Sequence, residues 1–90
     1  MRVLIAPDSF GDTLTAVEAA SAIGQGWSAG RPDDEITLAP QSDGGPGFVD
    51  VLATRFGRRV TEKIVGPLGA SVTAQWLLDD RNPDKPVAYI

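Results

Sequence analysis

Val3-Leu4-Ile5-Ala6 is an unbroken apolar run that stops at Pro7-Asp8. A strand with one face in water alternates apolar and polar positions. A run without alternation instead predicts a strand buried on both faces, the environment of a parallel sheet. A parallel sheet obliges the chain to cross over before laying down its next strand, usually through a helix. The sequence supplies one. After a polar turn from Asp8 to Asp12, Thr15-Ala16-Val17-Glu18 has the spacing of a capping box, in which the Thr and Glu side chains satisfy each other's orphan backbone N–H groups. Ala16, Ala20, Ile23 and Trp27 recur at helical spacing and form an apolar stripe. That helix is expected to fade over Ser28 to Gly30 and to be over by Pro32.

Glu35-Ile36-Thr37-Leu38-Ala39 predicts the second strand. A second helical stripe follows in Phe48, Val51, Leu52 and Phe56, with Pro46 suited to its first turn and Gly57 to its stop. The pattern then changes. Arg58 to Val65 is enriched in β-branched residues, Gly66-Pro67-Leu68-Gly69 is a turn cluster, and Val72, Ala74, Trp76 and Leu78 alternate at period two. These two runs are expected to pair antiparallel, and Pro86 to Ile90 to begin another strand. The fold class is therefore α/β: a β-α-β-α start of a parallel, Rossmann-like sheet, followed by an antiparallel strand pair. The last residues, Val87-Ala88-Tyr89-Ile90, are apolar where termini are usually polar. On that ground residues 1–90 are expected to be the N-terminal part of a larger fold, with self-association through exposed strand edges as a hazard.

Composition narrows the chemistry. The 90 residues contain no cysteine and no histidine, which removes disulfides, thiolate nucleophiles and imidazole bases from this chain. Acid–base work falls to Asp, Glu, Lys or Tyr. Twelve acidic against eight basic residues give a net charge of −4, no footprint for nucleic acid or an anionic membrane. The basic residues Arg55, Arg58, Arg59 and Lys63 cluster loosely and read as a solvated face. No apolar run approaches the ~20 residues of a membrane span, and the short N-terminal run does not match a signal peptide, so a cytoplasmic protein is expected. There is no G-x-x-x-x-G-K-[ST] motif, and Gly24-Gln25-Gly26 falls late in a helix rather than after a strand, so neither a P-loop nor a dinucleotide fingerprint is present.

Two segments follow the C-terminal ends of the two parallel strands, where open α/β sheets bind ligands. They are Asp8-Ser9-Phe10-Gly11-Asp12-Thr13 and Ser42-Asp43-Gly44-Gly45-Pro46-Gly47, and both are expected at the same crevice. Gly44, Gly45 and Gly47 let backbone approach a ligand closely, and a helix N-terminus follows them. Asp43 either accepts hydrogen bonds from substrate hydroxyls, helps hold Mg2+, or only caps the helix while the glycines make the turn. Asp8 and Ser9 either contact a hydroxyl or phosphate or begin an Asx or Ser turn. Thr13 and Thr15 read as caps. Trp27, Phe48, Phe56 and Trp76 read as packing residues.

Three ordered elements also resemble a known family. Val3-Leu4-Ile5-Ala6-Pro7-Asp8-Ser9-Phe10, followed by Thr13-Leu14-Thr15-Ala16, is similar to the opening of bacterial-type glycerate kinases. Pro40-Gln41-Ser42-Asp43-Gly44-Gly45-Pro46-Gly47 resembles that family's Asp-Gly-Gly element, and Val65-Gly66-Pro67-Leu68-Gly69 its Gly-Pro-Leu-Gly turn. At one place the chain departs from the pattern: Gly11-Asp12 stands where the family usually has Lys-Gly, which replaces a cation with a glycine and adds an anion at Asp12. The resemblance implies a two-domain α/β enzyme that uses ATP and Mg2+ to phosphorylate D-glycerate, a small-molecule substrate. It also implies that Asp8, Ser9, Asp43, Gly44, Gly45 and Gly47 line the substrate and phosphate side of the cleft. The competing expectation is a small non-catalytic module that binds an anionic metabolite or a partner chain in the same crevice.

Overall fold

The computed structural model describes residues 1–90, which form two compact units, Met1–Val51 and Leu52–Ile90. In the first unit, β1 (Arg2–Ile5), α1 (Ala16–Gly30) and β2 (Glu35–Leu38) make the expected strand–helix–strand crossover. β1 and β2 pair in parallel, with Arg2 opposite Glu35 and Ile5 opposite Leu38. The capping box is formed as read: Thr15 Oγ1 accepts the Glu18 N–H at 3.1 Å, and a Glu18 carboxylate oxygen accepts the Thr15 N–H at 2.9 Å. These bonds satisfy two donors that no helical carbonyl can reach, which fixes where α1 begins.

The face that α1 buries differs from the expected stripe. Ala16, Ala19, Ala20 and Gly24 are buried, whereas Ile23 and Trp27 are 43% and 38% exposed. The cause is close approach. A Cβ on Gly24 would come within 2.9 Å of Leu38 Cδ2 and 3.8 Å of Ile5 Cδ1. Small residues thus bring the helix down onto the strands, and the bulky ones flank the contact. The two-strand sheet is covered by α1 on one face only, so Leu4, expected in a strand buried on both sides, is 68% exposed.

Trp27 acts instead through its polar edge. Its indole Nε1–H donates to Asp34 Oδ2 at 2.9 Å, beside Arg31 Nε at 2.7 Å, and the N-terminal ammonium donates to Asp34 Oδ1 at 3.1 Å. The Asp34 side chain is nearly covered, at 4% exposed, and ties the end of α1 to the start of the sheet. Arg31 first, then Trp27 and the N-terminus, holds its carboxyl at about 2, below the ordinary 3.8. A depressed carboxylate stabilises the fold above its unfolded pKa, and that contribution is lost as pH falls toward the folded value. The urea midpoint should therefore drop between about pH 4 and pH 2. The drop should be smaller in Asp34→Asn; parallel curves for the two proteins would remove Asp34 from acid sensitivity.

α2 (Phe48–Ala53) is shorter than its apolar stripe suggested. Pro46 lies in the turn ahead of it, and after Ala53 the chain loosens into turns before Gly57, whose φ is +75°. In the second unit β3 (Arg58–Val65), β4 (Ser71–Asp79) and β5 (Val87–Tyr89) form an antiparallel sheet in the order β3-β4-β5. The expected pair is present, in register from Arg58 opposite Leu78 to Val65 opposite Ser71, and β5 adds a third strand. Leu77 is fully buried. Arg81 forks onto Asp79 at 2.6 and 2.8 Å, holding that carboxyl below its usual range. The same guanidinium lies 4.7 Å from the Phe56 ring centroid, and Phe56 packs on Tyr89 at 5.4 Å. This stack secures the β4–β5 connection. Arg58 pairs with Asp80 at 3.2 Å, an exposed contact of small energetic weight. No helix is long and apolar enough to cross a membrane.

Candidate functional site

The parallel ladder does not stop where the strands do. The Ala39 N–H donates to the Ile5 carbonyl at 2.8 Å, and the Gln41 N–H to the Pro7 carbonyl at 2.9 Å. Two further rungs therefore hold the chain abreast past both strand ends, and the loops that follow leave side by side. They enclose a concavity of about 380 Å³ within the first unit. Asp8, Ser9, Asp12 and Thr13 line it from the first loop, Glu18 from α1, and Ser42, Gly47 and Asp50 from the second loop and α2.

The first loop is a tight turn. The Phe10 N–H donates to the Leu14 carbonyl and the Thr13 N–H to the Phe10 carbonyl, both at 3.0 Å. Gly11, at φ +53°, makes the reversal that a residue with a Cβ enters only under strain. Asp12 follows it at the tip. Before the turn, Asp8 Oδ1 accepts the Ser9 N–H at 2.7 Å.

The second loop is organised by its own side chains. Ser42 Oγ accepts the Gly44 N–H at 3.2 Å, and Asp43 Oδ1 accepts the Gly45 N–H at 2.9 Å. Asp43 therefore makes an Asx turn two residues on rather than capping α2. The first N–H of α2, on Phe48, goes to the Gly45 carbonyl at 3.1 Å. Of the residues singled out from sequence, Asp8, Ser9 and Gly47 line the concavity. Asp43, Gly44 and Gly45 build the turn in its second loop without lining it.

Sequence reading passed over Glu18, Gln41 and Asp50 as parts of the lining. Gln41 had a detectable signal: it lies just past the second strand, where the ladder register continues. Its side-chain amide donates to the Ala39 carbonyl at 2.7 Å, which stiffens the start of the loop. Glu18 was visible only as a cap, and Asp50 only as a polar residue in the second helix.

Charge is the site's plainest property. Asp8, Asp12, Glu18 and Asp50 line the concavity, and no Lys or Arg does. Carboxylates accept hydrogen bonds from hydroxyls and can contribute ligands to a hard cation. No group of three acidic residues is placed to hold a metal ion by protein atoms alone. Mg2+ needs only one or two protein carboxylates when phosphate oxygens and water complete its shell.

Comparison with known proteins places this geometry among relatives. The model of the glycerate kinase family matches residues 3–90. The chain is 43% identical over 75 residues to a glycerate kinase of Bacillus subtilis, covering 82% of this chain and 20% of that one. It is 39% identical over 77 residues to a glycerate 2-kinase of Escherichia coli, covering 84% and 20%. An uncharacterized protein of Mycobacterium bovis is 52% identical over all 90 residues, which span 23% of its length. Among solved structures, a protein assigned as glycerate kinase 2 from Salmonella typhimurium LT2 superposes with a TM-score of 0.76 at 40% identity, over 88% of this chain and 21% of that one. The chain thus spans about a fifth to a quarter of the length of the relatives it matches.

Proposed function

The chain belongs to the glycerate kinase family, and on that footing we propose that the protein transfers a phosphoryl group from ATP to D-glycerate, giving a phosphoglycerate, with Mg2+ as the metal. The observation that carries this reading is the pairing of two loops. The segments that resemble the family's Pro-Asp-Ser and Asp-Gly-Gly elements leave neighbouring strand ends together, held by the bonds from Ala39 to Ile5 and from Gln41 to Pro7. In the transfer, a glycerate hydroxyl oxygen bonds to the γ-phosphorus of ATP, the bond from that phosphorus to the bridging oxygen breaks, and ADP leaves. The hydroxyl proton needs an acceptor, and with no histidine in this chain its candidates here are carboxylates, Asp8 first. When bound, Mg2+ would neutralise charge on the transferring group.

The family relationship itself supports a kinase-type enzyme acting on glycerate. The non-catalytic module that binds an anionic metabolite or a partner chain would use the same concavity, and the family relationship favours the enzyme over it. The test is an assay of the full-length protein with ATP, Mg2+ and D-glycerate, following ADP release and resolving the product by phosphorus NMR. Stoichiometric phosphoglycerate and ADP are expected. ATP hydrolysis with inorganic phosphate as the sole product would overturn the reading.

A further inference from the structure

We propose that Gln41 is a positioning residue for phosphotransfer: its side-chain amide replaces a ladder rung that Pro7 cannot make, and so fixes how the two loops leave the sheet. The proposal rests on the phosphotransfer reading and deepens it by naming what holds the two loops in register.

The gap follows from the pairing of the strands. β1 and β2 run with Arg2 opposite Glu35 and Ile5 opposite Leu38. In this parallel ladder every second residue of the β2 segment turns both its N–H and its carbonyl toward β1. The Glu35 N–H reaches the Met1 carbonyl, the Ala39 N–H the Ile5 carbonyl and the Gln41 N–H the Pro7 carbonyl. The Ala39 carbonyl lies between the last two of these rungs. Its ladder partner is the N–H of residue 7, and residue 7 is proline, which has none.

An unpaired carbonyl is costly here, because Ala39 is 6% exposed and Pro40 after it is buried. The Gln41 side chain supplies the missing donor, its Nε2 lying 2.7 Å from the Ala39 oxygen. A carbonyl only accepts, so the NH2 end of the amide must be the end that faces it. Gln41 thus holds the seam twice, through its backbone N–H to the first loop and through its side chain to the end of the second strand. Chemistry hangs on both sides of that seam. Asp8 follows Pro7 directly, Ser42 follows Gln41, and both line the concavity. Without the side-chain donor the Ala39 carbonyl turns toward water. The segment from 39 to 41 shifts with it and, through the Pro7 rung, so does the Asp8 carboxylate. Small misplacements of a reacting group are expensive in rate.

The test uses full-length protein as wild type, Gln41→Met, Pro7→Ala and the double variant. Methionine keeps an unbranched side chain of similar length and has no donor. Pro7→Ala returns an N–H to the ladder opposite the Ala39 carbonyl. Urea midpoints read the rung, and kcat and KM, measured where every variant is folded, read the positioning. Gln41→Met should lower the midpoint and reduce kcat for D-glycerate about tenfold, the weight of one hydrogen bond, with KM moving less than about twofold. In the Pro7→Ala background the same substitution should reduce kcat no more than about twofold, and its midpoint shift should shrink likewise. Equal midpoint shifts in the two backgrounds overturn the proposal, and so does an unchanged kcat in Gln41→Met. Should Gln41→Met fail to fold, adding Pro7→Ala should restore a folded, active protein; a double variant that also fails overturns the proposal. A wild type that forms no phosphoglycerate overturns the phosphotransfer reading. The coupling of the two substitutions in urea then decides the rung by itself, and its absence overturns that too.

Discussion

Replacing Asp8 by alanine in the full-length protein should lower kcat/KM for D-glycerate by about 100-fold or more, the usual loss when a positioned proton acceptor is removed. Asp8 lines the concavity, and one of its oxygens is already aimed by the Ser9 N–H at 2.7 Å. Its loop is held beside the second loop by the Gln41–Pro7 rung. The loss should fall on kcat more than on KM, because a base acts on the bond being made. Asp43 supplies the contrast. Its Oδ1 is spent on the Gly45 N–H, a role that asparagine can fill and alanine cannot. Asp43→Ala should then cost about tenfold, the equivalent of one hydrogen bond organising the loop, while Asp43→Asn stays close to wild type. If Asp43→Asn is as damaged as Asp43→Ala, the charge of Asp43 itself meets substrate or metal, and the turn is only part of its role. Wild-type turnover in Asp8→Ala removes Asp8 from the chemistry.

That contrast also shows what could be read from the residues alone. Strand–helix–strand order was legible because both of its signals are local: an apolar run without alternation, and a capping box spanning Thr15 to Glu18. The pairing of the loops after the strands followed from topology, since parallel strands put their C-terminal ends on one side. The buried face of α1 was not legible in the same way. Hydrophobic periodicity weights Ile23 and Trp27, but the helix approaches the sheet through Ala19, Ala20 and Gly24, and only the distance from Gly24 to Leu38 reveals that small size, not hydrophobicity, selected the face. Asp43 was open between ligand and cap because an aspartate ahead of glycines suits either; its Oδ1 makes an Asx turn rather than a cap. The acidic lining was hidden for a related reason. Asp8, Glu18 and Asp50 are far apart in sequence, and charge patterning along the chain carries no record of a shared concavity.

Gly57 is where the second unit is least tolerant of change. Its φ is +75°, and a Cβ there would come within 2.9 Å of Leu77 Cδ2, Leu77 Cγ and the Leu78 carbonyl oxygen. Leu77 is fully buried and so cannot swing aside, and the Leu78 oxygen belongs to the β4 backbone, which is paired with β3 through Arg58. Gly57→Ala should therefore destabilise the protein by about 2–4 kcal/mol, combining left-handed backbone strain with overpacking. Gly69 separates the two contributions. Its φ is +80°, nearly the same, but a Cβ there meets nothing within 4 Å. Gly69→Ala should thus show the backbone part alone, about 1–2 kcal/mol. Urea unfolding of both variants, followed by tryptophan fluorescence, measures the difference directly. Equal losses would mean that Leu77 and the β4 backbone yield to an added methyl. A larger loss at Gly57 means that the start of β3 is held against β4 by a contact only glycine permits, and that residue 57 is fixed by packing as well as by its turn.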